Sequence, residues 1–201
     1  MSKIATPPPK RRGRQRSAAA EAAILKAAGE LLARLPLCEV TTDAIAQRAG
    51  VSKATIYKWW PNKNLVALDA LGASVLAQLA IPNTGSARQD FAEQLRSTIA
   101  FYSSQPGRLL RQFLAEGQND AEFLKLFRDR FLKPRRDSLL TIWRRGVERG
   151  EIRPSVDGEL VLDLIFGPMM YRLLVGHGPL DDIQATAIVD VVFSGLQTGP
   201  D

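Results

Sequence analysis

The sequence predicts an all-α protein of about nine helices, and three observations carry that expectation. Apolar residues recur at spacings of three and four along most of the 201 residues. No stretch alternates apolar and polar residues for long enough to make a strand. Proline and glycine fall mainly between the periodic segments, where they act as punctuation. A hydrophobic content of 45% is ordinary for a globular protein and supplies a core.

The elements follow in order. Pro7-Pro8-Pro9 precedes Lys10, Arg11, Arg12, Arg14 and Arg16 with almost nothing apolar, so residues 1–16 are expected to form a disordered basic arm. A first helix is expected after Ser17 as its N-cap, with Ile24, Ala28, Leu31, Leu32 and Leu35 on one face and Pro36 ending it. Thr42 is the preferred cap of a short second helix reaching Ala49, with Ile45 pointing inward. Gly50 supplies a left-handed turn, and Ser52 caps a third helix that runs to about Trp59 before Pro61. A fourth, from about Asn62 to Ala80, carries Leu65, Leu68, Leu71, Val75, Leu76 and Leu79.

Five further helical patterns lie at about 88–104, 108–117, 120–149, 156–176 and 181–197. Pro106-Gly107, Gly117, Gly150, Pro154 and the turn from Gly176 to Pro179 separate them. Pro134 and Gly167-Pro168 fall inside two of these helices and are expected to kink or split them. The domain plan is an arm at 1–16, a helix-turn-helix domain at 17–62 and a helical body at 63–201.

Charge divides the chain in the same way. Residues 1–64 carry 12 Lys and Arg against 4 Asp and Glu, a net of +8. Residues 65–201 carry 15 against 17, a net of −2. A basic head on a mildly acidic body suggests a polyanion-binding segment joined to a part with another task. A lone cysteine, Cys38, excludes a disulfide framework and multi-cysteine metal sites, and reads as a small buried hydrophobe. A lone histidine, His177, excludes histidine-cluster zinc sites and reads as a turn residue. No enzyme activity, metal or cofactor is expected. The best apolar run, Leu160 to Tyr171, is cut by Asp163 and Gly167-Pro168, and no signal peptide opens the chain, so a cytoplasmic protein is expected.

The chemistry concentrates where the second and third helices meet. Ala46 is small where the helices cross, Gly50 permits the sharp turn, and Val51 and Ile56 fix the crossing angle. Ser52, Lys53, Thr55, Tyr57 and Lys58 are left as polar groups able to enter a DNA major groove.

The run from Ala22 to Leu65 resembles the DNA-binding domain of the TetR/AcrR family of bacterial transcriptional regulators. The residues that carry the likeness are Ile24-Leu25, Ala27-Ala28, Leu31, Thr41, Ile45-Ala46, Ala49-Gly50-Val51-Ser52, Thr55-Ile56-Tyr57 and Lys63-Asn64-Leu65. Trp59-Trp60 stands where the family more often has His-Phe. Similarity to the family's regulatory domain rests on Pro134-Arg135-Arg136, Arg149-Gly150-Glu151 and Gly167-Pro168 with Tyr171-Arg172. The resemblance implies DNA contacts from Ser52, Lys53, Ala54, Thr55 and Tyr57, with Lys53 and Thr55 reading bases. It implies phosphate contacts from Tyr57, Lys58, Trp59, Thr42 and Lys63, and a core position for Trp60. Arg11, Arg12 and Arg14, with Arg16, either enter a flanking minor groove or only add charge.

The family's final two helices pair across a two-fold axis. Here Ile183, Ala187, Ile188, Val191, Val192 and Gly195 are the expected dimer surface, and a pseudo-palindromic duplex operator the expected partner. Phe101, Tyr102, Phe113, Phe127, Phe131, Trp143, Phe166 and Met170 are the expected lining of a pocket for a small apolar effector, with Glu116 and Asp163 as polar anchors. The function implied is a ligand-released repressor in which ligand moves the fourth helix and changes the spacing of the recognition helices. An effector-independent DNA-binding protein is the alternative, and a small enzyme using the C-terminal cavity a more distant one.

Overall fold

Helix α1 (Arg12–Leu32) opens the computed structural model, which describes residues 12–196, with side chains from Ala18 onward. This corrects two expectations, because residues 12–16 are the first turns of α1 and Ser17 lies inside it. Arginine, glutamine and the run Ala18-Ala19-Ala20 all favour helix, so propensity carries the helix through the position read as a cap. Arg11 lies outside the described residues.

The chain divides into two compact units, Met1–Ala70 and Leu71–Asp201. In the first, α1 is followed by α2 (Thr42–Ala49), α3 (Lys53–Tyr57) and the start of α4 (Lys63–Gln78). Ile24, Ala27, Ala28 and Leu32 form the inner stripe of α1, while Leu31 and Leu35 are only half-buried. The stripe shares its core with Val40, Ile45, Ala46, Ile56, Trp60, Leu65 and Leu68. Cys38 is exposed, contrary to its reading as a buried hydrophobe.

The second unit contains the rest of α4 and then α5 (Ala87–Ser103), α6 (Gln105–Asn119) and α7 (Ala121–Phe127). Next come a π-helical turn at Arg128–Leu132, α8 (Lys133–Glu148), α9 (Gly158–Val175) and α10 (Asp182–Leu196). Helix α5 is central and packs on α6, α8, α9 and α10. The core around it includes Phe91, Leu95, Phe113, Ile142, Leu162 and Phe193, with the Phe91 and Phe193 rings 6.1 Å apart. Among the described residues there is no strand.

Counting α7, the π turn and α8 as one continuous run, the described helices number nine. Pro134 explains the π turn. It lacks an N–H, and its ring would crowd the carbonyl of Arg130 in a regular α-helix. The register loosens instead, and the Lys133 N–H reaches back five residues to the Arg128 carbonyl. Pro168 does not split α9. Pro106-Gly107 is not a break either, since it forms the first turn of α6, where proline's missing donor costs nothing. Gly117 also lies inside α6, where a Cβ would come 3.0 Å from the Leu124 side chain.

Candidate functional site

The turn between α2 and α3 is built by local hydrogen bonds. Thr41, not Thr42, caps α2, its side chain accepting from the Ala44 N–H at 3.1 Å. Thr42 therefore stands in the first turn and is half-buried. Gly50 closes α2 at φ 67°, a left-handed conformation that costs glycine little. The Val51 N–H then donates to the Ala46 carbonyl at 3.0 Å and turns the chain into α3. Ser52 Oγ accepts from the Thr55 N–H at 3.2 Å and lies 2.9 Å from Thr55 Oγ1. Those two hydroxyls are thus tied to each other.

Ile56 is buried and anchors α3, which leaves Lys53, Ala54, Tyr57 and Lys58 on the exposed side. Tyr57 is 53% exposed, which leaves its hydroxyl free to reach a ligand. Lys53 Nζ lies 2.6 Å from Asp43 Oδ1 on α2. The hydrogen bond to Asp43, reinforced by charge attraction, holds the Lys53 ammonium above its ordinary pKa. Asp43 was not foreseen in this role, although its place in the first turn of α2 is visible in the sequence.

Trp60 is buried, as expected, and its indole Nε1 donates to Asp69 Oδ2 at 2.7 Å. Trp59 is half-buried and packs edge-on against it, with centroids 5.6 Å apart. Lys63 departs from the role of phosphate contact. Its ammonium donates to the carbonyls of Leu37 (3.1 Å), Cys38 (3.1 Å) and Val40 (2.7 Å), so its three donors hold the loop between α1 and α2. Arg12 and Arg14 lie on the first turns of α1.

In the second unit, a cavity of about 260 Å³ is lined by residues of α5, α6, α7, the π turn, α8 and α9. Six of the expected residues line it: Tyr102, Phe127, Phe131, Asp163, Phe166 and Met170. Four do not. Phe113 is core and packs on Phe123 at 5.7 Å, and Phe101 is core against Tyr102 at 5.0 Å. Trp143 packs against Gly158, where a Cβ would come within 2.8 Å of its ring. Glu116 is exposed, because the buried stripe of α6 steps through Leu109, Leu110, Phe113 and Gly117 and leaves position 116 outside.

The lining also holds Thr98, Arg135 and Arg136, which were not foreseen as pocket residues. Arg135 had a visible signal. It sits at four-residue spacing between Phe127, Phe131 and Leu139, a charge interrupting an apolar stripe.

Helices α9 and α10 each carry an apolar row on the outside. On α9 it is Leu160, Leu164, Tyr171, Leu174 and Val175, and on α10 it includes Ile183 and Val191, 76% and 74% exposed. Ala187 and Gly195 continue the α10 row, and Ile188 and Val192 are half-buried beside it. The opposite side of α10 is buried through Ala185, Val189, Phe193 and Leu196.

Two family models match this chain, one described as bacterial regulatory proteins of the tetR family at residues 24–69, the other as the tetracyclin repressor-like C-terminal domain at 81–192. The chain belongs to the TetR family of bacterial transcriptional regulators. It is 38% identical over 187 residues to the HTH-type transcriptional regulator YdeS of Bacillus subtilis, covering 93% of this chain and 94% of that one. It is 31% identical over 185 residues to the DNA-binding transcriptional repressor TetR of Mycobacteroides abscessus, covering 90% and 94%. Among solved structures, the TetR family transcription regulator SCO0332 aligns with a TM-score of 0.83 and 35% identity over 89% of this chain and 99% of that one. Like other TetR regulators, this chain joins a helix-turn-helix to a helical C-terminal domain. Among the described residues, no helix is long and apolar enough to cross a membrane, and no group of three or more His, Cys, Asp or Glu is placed to hold a metal.

Proposed function

We propose that this TetR regulator is a cytoplasmic homodimeric repressor that binds a pseudo-palindromic duplex operator through α3 and leaves it when an effector fills the body cavity. The exposed row Lys53, Ala54, Tyr57 and Lys58, held on the buried Ile56, carries the reading. Lys53 offers donors to guanine acceptors, Ala54 an apolar contact for a thymine methyl, and Tyr57 and Lys58 donors for phosphate. Thr55 contributes its methyl, and the Ser52–Thr55 hydroxyl pair the one O–H not spent between them. Thr42 and Trp59, each half-buried, flank this row as backbone contacts. Lys63 supports the interface from behind by fixing the α1–α2 loop.

Dimerisation supplies the second half-site. The outward rows of α9 and α10 are the surfaces that would pair, because each helix already buries its other side within the unit. Two recognition helices must then sit roughly 34–36 Å apart to enter successive major grooves. Effector binding acts by favouring a state with another spacing, through its differential affinity for the two states. The regulator has no catalytic step in this reading.

Sedimentation of the full chain with and without a selected operator duplex tests the proposal. A dimer that binds one duplex is expected, and a monomer at micromolar concentration with no duplex-bound dimer would overturn it.

A further inference from the structure

The cavity is lined by two arginines and one carboxylate, so its charge is not balanced. The two arginines that line it differ in this respect. Arg136 is neutralised at the rim by Glu159 and by Asp163, the latter with Nη1 to Oδ1 at 2.8 Å. Arg135 pairs with no carboxylate among the described residues. Its Nη1 donates to the Leu79 carbonyl at 3.0 Å. Its Nη2 lies 2.6 Å from the Gln94 amide oxygen, with the amide placed so that its nitrogen donates to the Ala80 carbonyl at 3.1 Å. All of these acceptors are neutral, and a guanidinium has five N–H donors to satisfy. Burial lowers the Arg135 pKa from its ordinary value, yet a guanidinium keeps its proton at neutral pH.

Tyr102 stands beside it. Its ring is buried and its hydroxyl has no hydrogen-bond partner among the described residues. Burial also raises the phenol's pKa, so the hydroxyl stays a neutral donor. Thr98 spends its hydroxyl on the Gln94 backbone carbonyl at 2.7 Å, and the rest of the wall, with Leu110, Phe127, Phe131 and Met169, is apolar. A half-buried cation with only neutral partners favours an anion that reaches it without water.

We propose that the effector is an apolar organic acid whose single carboxylate is held by Arg135 and the Tyr102 hydroxyl. Its aliphatic or aromatic body has on the order of ten non-hydrogen atoms, since the cavity equals roughly nine water volumes. This rests on the reading of the cavity as the effector site.

Titration calorimetry on the full chain tests the proposal with octanoate and 4-propylbenzoate, each beside its uncharged alcohol and its amine. Octanoate or 4-propylbenzoate is expected to bind at least about tenfold tighter than its alcohol, and the amines not at all. Arg135→Met should remove that tenfold preference while the alcohols still bind, which also shows that the variant folds. Tyr102→Phe, a smaller change, should reduce the preference severalfold. Alcohols binding as tightly as acids in the natural chain would overturn the carboxylate assignment and leave the effector cavity standing. Binding of none of the probes would overturn both, while equal losses for acid and alcohol in Arg135→Met and Tyr102→Phe would overturn the carboxylate assignment alone.

Discussion

Replacing Lys63 with methionine separates a structural lysine from a DNA contact. The change keeps the length of the side chain and removes three hydrogen bonds, to the carbonyls of Leu37, Cys38 and Val40. A hydrogen bond from a charged donor contributes about 1.5–3 kcal/mol when fully buried. The bond to Cys38 is exposed, so water replaces it at almost no cost. The other two are part-buried and retain about half that worth, so the loss sums to about 1.5–3 kcal/mol. Urea unfolding followed by tryptophan emission reads this directly, because Trp59 and Trp60 lie in the same unit. A fall in midpoint at constant slope is expected, and Lys63→Arg should recover part of it. Were Lys63 instead a phosphate contact, the midpoint would stay put and the salt dependence of DNA binding would lose about one unit of slope. That outcome would refute the structural assignment.

Other expectations follow from the same geometry. Lys53→Ala should cost about ten- to hundredfold in operator selectivity while leaving the unfolding midpoint almost unchanged, as measured by competition between operator and random duplex. Because Asp43 raises the Lys53 pKa, the ammonium is fully charged below the ordinary lysine value and is lost only above it, so operator affinity should show no Lys53 titration between about pH 7 and 9. Gly107→Ala places a Cβ 1.6 Å from the Tyr102 carbonyl oxygen, so the corner between α5 and α6 must shift. A stability loss of at least about 1–3 kcal/mol is expected in denaturant unfolding. Val191→Asp puts a charge into the exposed row of α10 and should yield a folded monomer by sedimentation with operator affinity lost together with the dimer.

What the sequence made legible was mostly local. The α2–turn–α3 unit rests on Thr41, Gly50, Ser52 and Ile56, whose partners lie within a few residues, so spacing reveals the unit although it favours Thr42 as the cap. The long run from Ala121 to Glu148 was also legible as one continuous helical pattern, though the π turn upstream of Pro134 was not. Lys63 was misread because its acceptors lie 23–26 residues away, beyond the reach of any helical spacing. Glu116 failed on phase, since its apolar sequence neighbours lie around the helix rather than beside it. The start of α1 failed because charge was read as disorder where the backbone preference favoured helix.

Selection of duplexes from a random-sequence pool by the full chain, followed by hydroxyl-radical footprinting on the winner, tests the central claim most directly. A pseudo-palindrome is predicted, with two protected major-groove segments about one helical turn or a whole multiple of turns apart and an enriched sequence that Lys53→Ala abolishes. An unenriched pool, or a single protected half-site unaffected by Lys53→Ala, would contradict a dimeric regulator that reads DNA through α3.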